Sequence, residues 1–233
     1  MKGIQQMILF ASVIAIILAI VILAYSQTDW RLSKYEIHGI DVSRYQLDID
    51  FEILKNQKYV DFVFVKASEG RSLKDKKFNR NWEALQKHKI PRGAYHFYRP
   101  SVKAKLQADF FIKNVKLQKG DLPPVLDLEA TDNRSKSIIL KGVKIWLETI
   151  EKHYKVKPII YVNHDFYYQY IQSHFEEYPI WLAAYRWQYP EIAAGDWDFW
   201  QYTDEGRIEG IEGDVDKNVF YGNWNEFERF FVK

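Results

Sequence analysis

The chain contains no cysteine, and this absence removes several chemistries at once. It excludes disulfide bonds, thiolate zinc sites, a cysteine nucleophile and a lipid-modified cysteine, but not a location outside the cytoplasm. An excess of one charge is also missing, because 33 basic residues nearly balance 31 acidic ones and leave a formal net charge of +2. So small an excess gives no indication of a nucleic-acid-binding protein.

Motifs for metal or phosphate chemistry are absent as well. The six histidines, at positions 38, 88, 96, 153, 164 and 174, form no HxxxH or other short ligand pair. The sequence has no GxSxG nucleophile elbow and no phosphate-binding glycine loop. We therefore expect no metal and no cofactor, and a zinc-dependent deacetylase of wall sugars is disfavoured.

One long apolar run lies at the N-terminus. The 19 residues from Met7 to Tyr25 carry no charge, and as a helix they would be about 28 Å long, near the hydrocarbon thickness of a bilayer. A cleaved signal peptide usually has an apolar core of only about 7–15 residues. We therefore predict one N-terminal transmembrane helix and a single-pass protein. The charges beside the run, Lys2 before it and Arg31 and Lys34 after it, do not give its orientation, and we expect the folded domain to lie outside the cytoplasm. Cleavage near Ala24–Ser26 is the alternative, and it would give a secreted protein.

The chain is accordingly divided into an anchor or signal segment (1–26), a linker (27–36) and one folded domain (37–233). In that domain strand-like and helix-like segments alternate. The predicted strands are Ile37–Val42, Phe62–Ala67, Arg92–Tyr98, Val125–Glu129, Pro158–Val162, Ile180–Ala184, Asp198–Tyr202 and Asp214–Phe220. Alternation with helices indicates a parallel sheet. Eight strands in one domain predict an α/β fold, a TIM-like barrel that becomes irregular in its last third, where helices are scarce.

The stretch PPVLDLEA, residues 123–130, sets two carboxylates into an apolar strand. Residues two apart on a strand point to the same face, so Asp127 and Glu129 would share one face with Cα atoms roughly 6.6 Å apart. Two like charges that close together raise one pKa, which a general acid needs at neutral pH. The alternative is a strand end whose acids simply face solvent.

Active sites of such barrels lie at the C-terminal ends of the strands. Asp41 ends the first predicted strand, and Asp214 and Asp216 belong to the last, which neighbours the first in a closed barrel. We therefore expect Asp41 and Asp216 to meet the central acid pair at one mouth. Taken singly, Asp41 also fits a turn and Asp214 and Asp216 a solvated loop. Aromatics make up 17% of the chain, and an acidic mouth with an aromatic rim suits a carbohydrate.

Several segments, in this order and spacing, match a known family. They are HGIDVSRYQ, DFVFVKASEG, GAYHFYRP, PPVLDLE, PIIYVN, IWLAAY, FWQYTDEGRIEGIEG and VDKNVF. From Ile37 to Phe220 the chain resembles glycoside hydrolase family 25, the muramidase type of lysozyme that cleaves cell-wall peptidoglycan between N-acetylmuramic acid and N-acetylglucosamine. The resemblance implies an irregular (β/α)5(β)3 barrel of eight strands and five helices.

The resemblance also implies four acidic site residues, which here are Asp41, Asp127, Glu129 and Asp216. Glu129 would protonate the glycosidic oxygen as general acid. Asp127 would stabilise the charge that develops at the sugar, or hold the substrate's 2-acetamido group as internal nucleophile. Asp41 and Asp216 would position the sugar and tune these charges. Net retention is what the family implies, because the separation of the two carboxyl groups by itself leaves the stereochemistry open.

Other side chains near strand ends are expected to contact the sugar, namely Tyr95, Phe97, Tyr161, Trp181, Tyr185, Lys66 and Gln201. Each aromatic ring fits plain core packing equally well, and Lys66 fits a structural ion pair with an acid. The expected partners are peptidoglycan glycan strands and, through the N-terminal helix, the membrane. Two other functions stay open: a chitinase-like hydrolase of N-acetylated sugars, and a membrane-tethered module that binds glycan without cleaving it.

Overall fold

The structure of the protein is a computed structural model that describes residue 10 and residues 13–18, 32–185 and 196–233. The chain divides into two compact units, Met1–Tyr35 and Glu36–Lys233. Residues 13–18 of the first unit are helical. Among the described residues no helix combines the length and apolarity that crossing a bilayer requires, and most of the predicted span lies outside them. The transmembrane helix and the boundaries at residues 26 and 36 stay predictions.

The second unit is built around one sheet, and every strand predicted from the sequence is present in it. The strands are β1 (Ile37–Val42), β2 (Phe62–Glu69), β3 (Leu73–Lys74), β4 (Arg92–Phe97), β5 (Val125–Asp127), β6 (Ile159–Asn163), β7 (Ile180–Ala183), β8 (Phe199–Gly206) and β9 (Val215–Phe220). The sheet closes on itself, because β1 pairs with β2 on one side and with β9 on the other. β3 only extends the end of β2. The remaining eight strands form the predicted α/β barrel.

One strand departs from the parallel pattern. β9 runs antiparallel to both β8 and β1, whereas its neighbours around the barrel pair in parallel. Only residues 207–214 separate β8 from β9, too few for the crossover that a parallel connection requires. The expectation of a parallel sheet is therefore wrong for this strand. Its reversal brings the start of β9 to the end of the barrel at which the parallel strands finish.

Most of the helices lie between the strands of the first two thirds of the domain, and one follows the last strand. They are α1 (Phe51–Leu54), α2 (Phe78–Lys87), α3 (Ala104–Asn114), α4 (Lys136–Tyr154), α5 (His164–Phe166), which continues into a π-helical turn (Tyr167–Ile171), and α6 (Trp224–Phe227). Between β7 and β9 the described residues contain no helix. This agrees with the irregular last third predicted from the sequence.

The barrel interior is a packed aromatic core. Phe64 of β2 stacks on Trp181 of β7 at 4.5 Å between ring centroids and meets Phe199 of β8 edge-on at 5.5 Å. Gly93 of β4 lies directly beneath this ring, since a Cβ there would stand 2.5 Å from Cδ1 of Phe64. Side chains from opposite sides of the barrel thus meet at its axis, and they form the floor under the residues at its mouth.

The central strand is shorter than predicted. β5 ends at Asp127, which is 5% exposed, while Glu129 lies beyond the strand and is exposed to solvent. Beyond the strand, Leu128 N still donates to Tyr161 O at 2.9 Å, and Asp127 and Glu129 both line one cleft at this end of the barrel. The two acids therefore share a face, as the alternation of side chains along a strand predicts. The separation of their Cα atoms stays a prediction.

The opposite end of the barrel is held by a buried ion pair. Arg92, at the start of β4, donates from Nε and Nη2 to the two carboxylate oxygens of Asp121 at 2.8 and 3.3 Å. Its guanidinium also donates to Trp82 O and lies 4.0 Å from the centroid of the Trp82 ring. Since both charges are buried, each depends on the other for compensation.

Removal of one partner of this pair tests its contribution. We expect Asp121→Ala to lower the free energy of unfolding by about 3–5 kcal/mol, because Arg92 is left buried and uncompensated. Urea denaturation measures the change. Asp109→Ala is the matched control, because its ion pair with Lys105 is exposed and exposed pairs contribute about 1 kcal/mol or less. Equal losses in the two variants would contradict this account.

Candidate active site

A cleft of about 270 Å³ opens at the end of the barrel where the parallel strands finish. Its walls are formed by Asp41, Lys66, Tyr95, Phe97, Asp127, Glu129, Tyr161, Trp181, Tyr185, Gln201, Asp204 and Asp216. The structure thus brings together all eleven residues that the sequence analysis singled out and adds Asp204. Their contact with a sugar and their catalytic roles stay predictions.

Asp41, on β1, lies at the bottom of the cleft and is 6% exposed. Its Oδ2 accepts hydrogen bonds from Gln201 Nε2 at 2.7 Å and from Asn218 Nδ2 at 2.9 Å. Burial raises the pKa of Asp41 to about 6, and the negative charge of Glu129 adds to this, while the two amide donors partly offset it. Asp41 therefore gains or loses its proton close to neutral pH.

Trp181 fixes the direction of one of these bonds. Its indole Nε1 can only donate, and it donates to Asn218 Oδ1 at 2.8 Å. The amide nitrogen of Asn218 must then face Asp41, where it stabilises the ionised carboxylate. Because Trp181 also stacks on Phe64 in the core, core packing sets the orientation of a group at the site.

Gln201 is oriented in the same way from the other side. Its Oε1 accepts from the hydroxyl groups of Tyr161 at 2.8 Å and Tyr185 at 2.5 Å. Its amide nitrogen is left to donate to Asp41. The two tyrosines thus belong to a hydrogen-bonded network that ends on one carboxylate, whatever contacts they make with a ligand.

Asp127 and Glu129 form a coupled pair of carboxyl groups within hydrogen-bonding reach of each other. Burial raises the pKa of Asp127 well above its usual value, and the charge of Glu129 raises it further. Burial also raises the pKa of Glu129, although its hydrogen bond with Asp127 and the charge of Lys66 work against this. Burial and the closeness of the two groups therefore disfavour a state in which both carry a negative charge.

Asp216 faces Asp41 across the seam between β1 and β9, where the two residues are register partners. Burial raises the pKa of Asp216 to about 8, and the charges of Asp41 and Asp204 contribute. Asp214, two residues earlier, is exposed and pairs with Arg207 at 3.0 Å. Of these two acids, only Asp216 reaches the cleft.

The aromatic residues divide into two groups. Trp181, 2% exposed, and Tyr161 lie in the core, with ring centroids 4.6 Å apart. Tyr95 and Phe97 on β4, like Tyr185, are half-buried and present part of their surface to the cleft. The packing alternative weighed from the sequence thus describes the first group, and the second group keeps surface available for a ligand.

Lys66 forms an ion pair and also lines the cleft, while its contact with a sugar stays a prediction. Its Nζ lies 3.3 Å from Glu69 Oε2, so the structural ion pair is present. The same nitrogen lies 4.7 Å from the centroid of the Phe97 ring and lines the cleft. Its positive charge lowers the pKa of both Asp127 and Glu129 against the effect of burial. Lys66 is the basic residue among those lining this cleft.

Two residues were missed by the sequence analysis. Asn218 has a recognisable signal, because it lies two positions after Asp216 on one strand and must share its face. Asp204 has none, since it is one of several polar residues in the exposed part of β8. In the described part of the chain no three metal-ligating side chains are grouped to hold an ion. The expected lack of a metal or cofactor stays a prediction.

Paired carboxyl groups at the mouth of an α/β barrel are an arrangement that glycoside hydrolases use to cleave their substrates. The profile of glycosyl hydrolases family 25 matches residues 40–211. The chain is 41% identical over 202 residues to Uncharacterized protein YegX of Escherichia coli (strain K12), covering 85% of this chain and 74% of that protein. It is 32% identical over 202 residues to Lysozyme M1 of Streptomyces globisporus, covering 80% and 68% of the two chains.

A solved structure agrees with these sequence relations. A family 25 glycosyl hydrolase from Bacillus anthracis superposes with a TM-score of 0.77 at 38% identity, covering 84% of this chain and 94% of that chain. The protein therefore belongs to glycosyl hydrolase family 25 and is a glycoside hydrolase of the lysozyme type. The resemblance inferred from the sequence motifs is confirmed.

The pKa of Asp216 predicts how stability depends on pH. The folded state raises this pKa from 3.8 to about 8, so its contribution to stability is complete below the unfolded value and is lost as the pH rises through about 8. We therefore expect Asp216→Asn to increase the free energy of unfolding at about pH 9 by ~3 kcal/mol and to change it little at about pH 4. Urea denaturation across this range measures both.

Asp214→Asn is the matched control, because it removes an exposed carboxylate two positions away. It should leave the pH dependence as it is in the unaltered protein. A profile for Asp216→Asn that runs parallel to the unaltered protein's would contradict the raised pKa.

Proposed function

We propose that this protein is a muramidase that cleaves the β-1,4 bond between N-acetylmuramic acid and N-acetylglucosamine in peptidoglycan. The proposal is carried by one observation, that four carboxyl groups meet in one cleft with half-buried aromatic walls. They belong to Asp41 on β1, Asp127 at the end of β5, Glu129 just after it, and Asp216 on β9. The lysozymes among the chain's relatives support the same substrate class.

Glu129 is the general acid in this proposal. It is the outer and exposed member of the acid pair, so it can reach a glycosidic oxygen from the side of the cleft. Burial raises its pKa, which favours the protonated form that a general acid needs. As the leaving sugar departs with that proton, Glu129 becomes the base that activates the incoming water.

Asp127 acts on the positive charge that develops at the sugar. Its carboxyl group lines the cleft beside Glu129. A carboxyl oxygen there can accept a hydrogen bond from a substrate N–H group. This favours Asp127 as the residue that holds the 2-acetamido group for attack on the anomeric carbon, with charge stabilisation as its second role.

The remaining acids position the sugar and tune the pair. Asp41 and Asp216 lie on the far side of the cleft from β5, and the negative charge of Asp41 adds to the raised pKa of Asp127. The rings of Tyr95, Phe97 and Tyr185 offer apolar faces for sugar rings. The further contacts come from Tyr161, Trp181, Lys66 and Gln201.

Loss of the acid tests this assignment. Glu129→Gln keeps the shape of the side chain but has no proton to give, so the release of reducing ends from peptidoglycan should fall by about 10²–10⁴-fold. Glu148→Gln, which changes an exposed carboxylate on α4, should keep the rate of the unaltered protein. A Glu129→Gln variant with full activity would remove the assignment.

The choice of substrate separates this function from its rivals. The purified protein should release reducing ends from peptidoglycan faster than from chitin, because muramic acid occurs only in the former. A preference for chitin would overturn the substrate. Binding to glycan with no reducing ends from either polymer would instead identify a non-catalytic module.

The protein is held at the membrane by Met7–Tyr25, with its catalytic domain outside the cytoplasm. The length and apolarity of this segment support the attachment. After cell fractionation, an antibody against the first residues should detect the protein in membranes that have been washed with high salt. A soluble protein that has lost residues 1–26 would show that the segment is a cleaved signal.

A further inference from the structure

Exposed lysines are concentrated at the end of the barrel where the parallel strands begin. Four successive loops there lead into β2, β4, β5 and β6. They carry Lys58, Lys89, Lys116, Lys119, Lys155 and Lys157, all of them exposed. The chain as a whole has a formal net charge of only +2, so this set, which we term the basic end, is a local excess of positive charge.

The acids in the same loops are already neutralised or occupied. Asp121 is buried against Arg92 at 2.8 Å, and Asp61 is partly buried and accepts a hydrogen bond from His38 N at 2.8 Å. Exposed acids lie outside these four loops, namely Glu36 just before β1, Glu52 on α1, Glu83 on α2, and Glu176 and Glu177 before β7. The four loops themselves contain no exposed carboxylate.

Aromatic surface accompanies these charges. Tyr59 is 47% exposed, and Lys58 Nζ lies 5.2 Å from the centroid of its ring. A groove of about 520 Å³ opens at the same end, and half-buried Phe230 and Phe231 line it. Its rim carries Lys155, Lys157, Arg229 and Lys233. Cationic side chains next to aromatic rings are the composition of surfaces that lie at the boundary between lipid and water.

The path of the chain indicates which anionic partner this end meets. β1 starts at Ile37, so the segment that precedes the domain joins it at the basic end, opposite the cleft. We propose that the basic end docks on an anionic lipid surface and directs the cleft away from the bilayer. The inference rests on the membrane attachment proposed above and adds the orientation of the attached domain.

The physical reason is that attachment at one point does not by itself set the orientation of a domain. The segment 27–36 is short and mostly polar in sequence. Attraction between lysines and anionic headgroups acts only within about a Debye length, roughly 10 Å at 0.1 M salt. The cleft, at the far end of the barrel, is then presented to polymer that lies beyond the membrane surface.

Fluorescence resonance energy transfer from the protein to lipid headgroups tests the orientation of the domain. The full-length protein is reconstituted in vesicles for this purpose. Since the chain has no cysteine, a single introduced thiol can carry the donor dye. Gln118→Cys places it at the basic end, and Ser72→Cys places it in the loop between β2 and β3 at the cleft end. The acceptor is a headgroup dye in vesicles of phosphatidylcholine, with or without phosphatidylglycerol.

We expect energy transfer from the Gln118→Cys donor to rise about twofold when phosphatidylglycerol is added. In high salt it should fall back to its value without phosphatidylglycerol. Transfer from the Ser72→Cys donor should stay low in all conditions. Replacement of Lys58, Lys89, Lys119 and Lys155 by Ser should abolish the rise. Replacement of four exposed lysines near the cleft end, Lys76, Lys103, Lys136 and Lys141, removes the same charge and should leave the rise intact.

Three results would overturn the proposal. The first is transfer that does not respond to anionic lipid, and the second is an equal response from both dye positions. The third is a basic-end variant that keeps its vesicle signal but loses binding to an anionic wall polymer, which would assign the lysines to the wall. Glu129→Gln should keep the vesicle signal, so failure of the docking face and failure of the hydrolase proposal are distinguished.

Discussion

The closure of the barrel between β1 and β9 is the constraint on which the site depends. Because β9 runs against its neighbours, its first residues lie at the same end as the last residues of β1, and Asp216 comes to face Asp41. These two acids then share one cleft with Asp127 and Glu129. Burial and mutual repulsion raise the pKa of all four carboxyl groups. Because the folded state raises these pKa values, the free energy of unfolding is lower at neutral and alkaline pH than at acidic pH.

The network around Asp41 shows how the core controls this arrangement. An indole that packs on Phe64 also sets the direction of the Asn218 amide, and two tyrosine hydroxyls set that of Gln201. Both amides end on one carboxylate oxygen. The packing of the core and the charge of Asp41 are therefore linked. A change to the Trp181 ring would alter both.

Much of the fold and of the site could be predicted from the sequence, for identifiable reasons. β2 is a continuous apolar run with both faces covered, so its predicted range, Phe62–Ala67, falls within the observed strand, Phe62–Glu69. The motif segments around Asp41, PPVLDLEA and VDKN placed the four acids. The direction of β9 was missed because strand propensity carries no direction. The exposed position of Glu129 was missed because the strand ends two residues earlier than its composition suggests.

The sequence alone therefore determined the family, the order of the elements and the acidic residues, since these follow from local patterns and motifs along the chain. Only the tertiary structure decided which amide groups hold Asp41, which aromatic rings are buried, and that burial raises the pKa of both Asp127 and Glu129. These properties depend on burial and on contacts between residues far apart in the chain, such as Asp41 with Gln201 and Asn218. A desolvated carboxyl group takes its pKa from such neighbours, and no local pattern of residues encodes them.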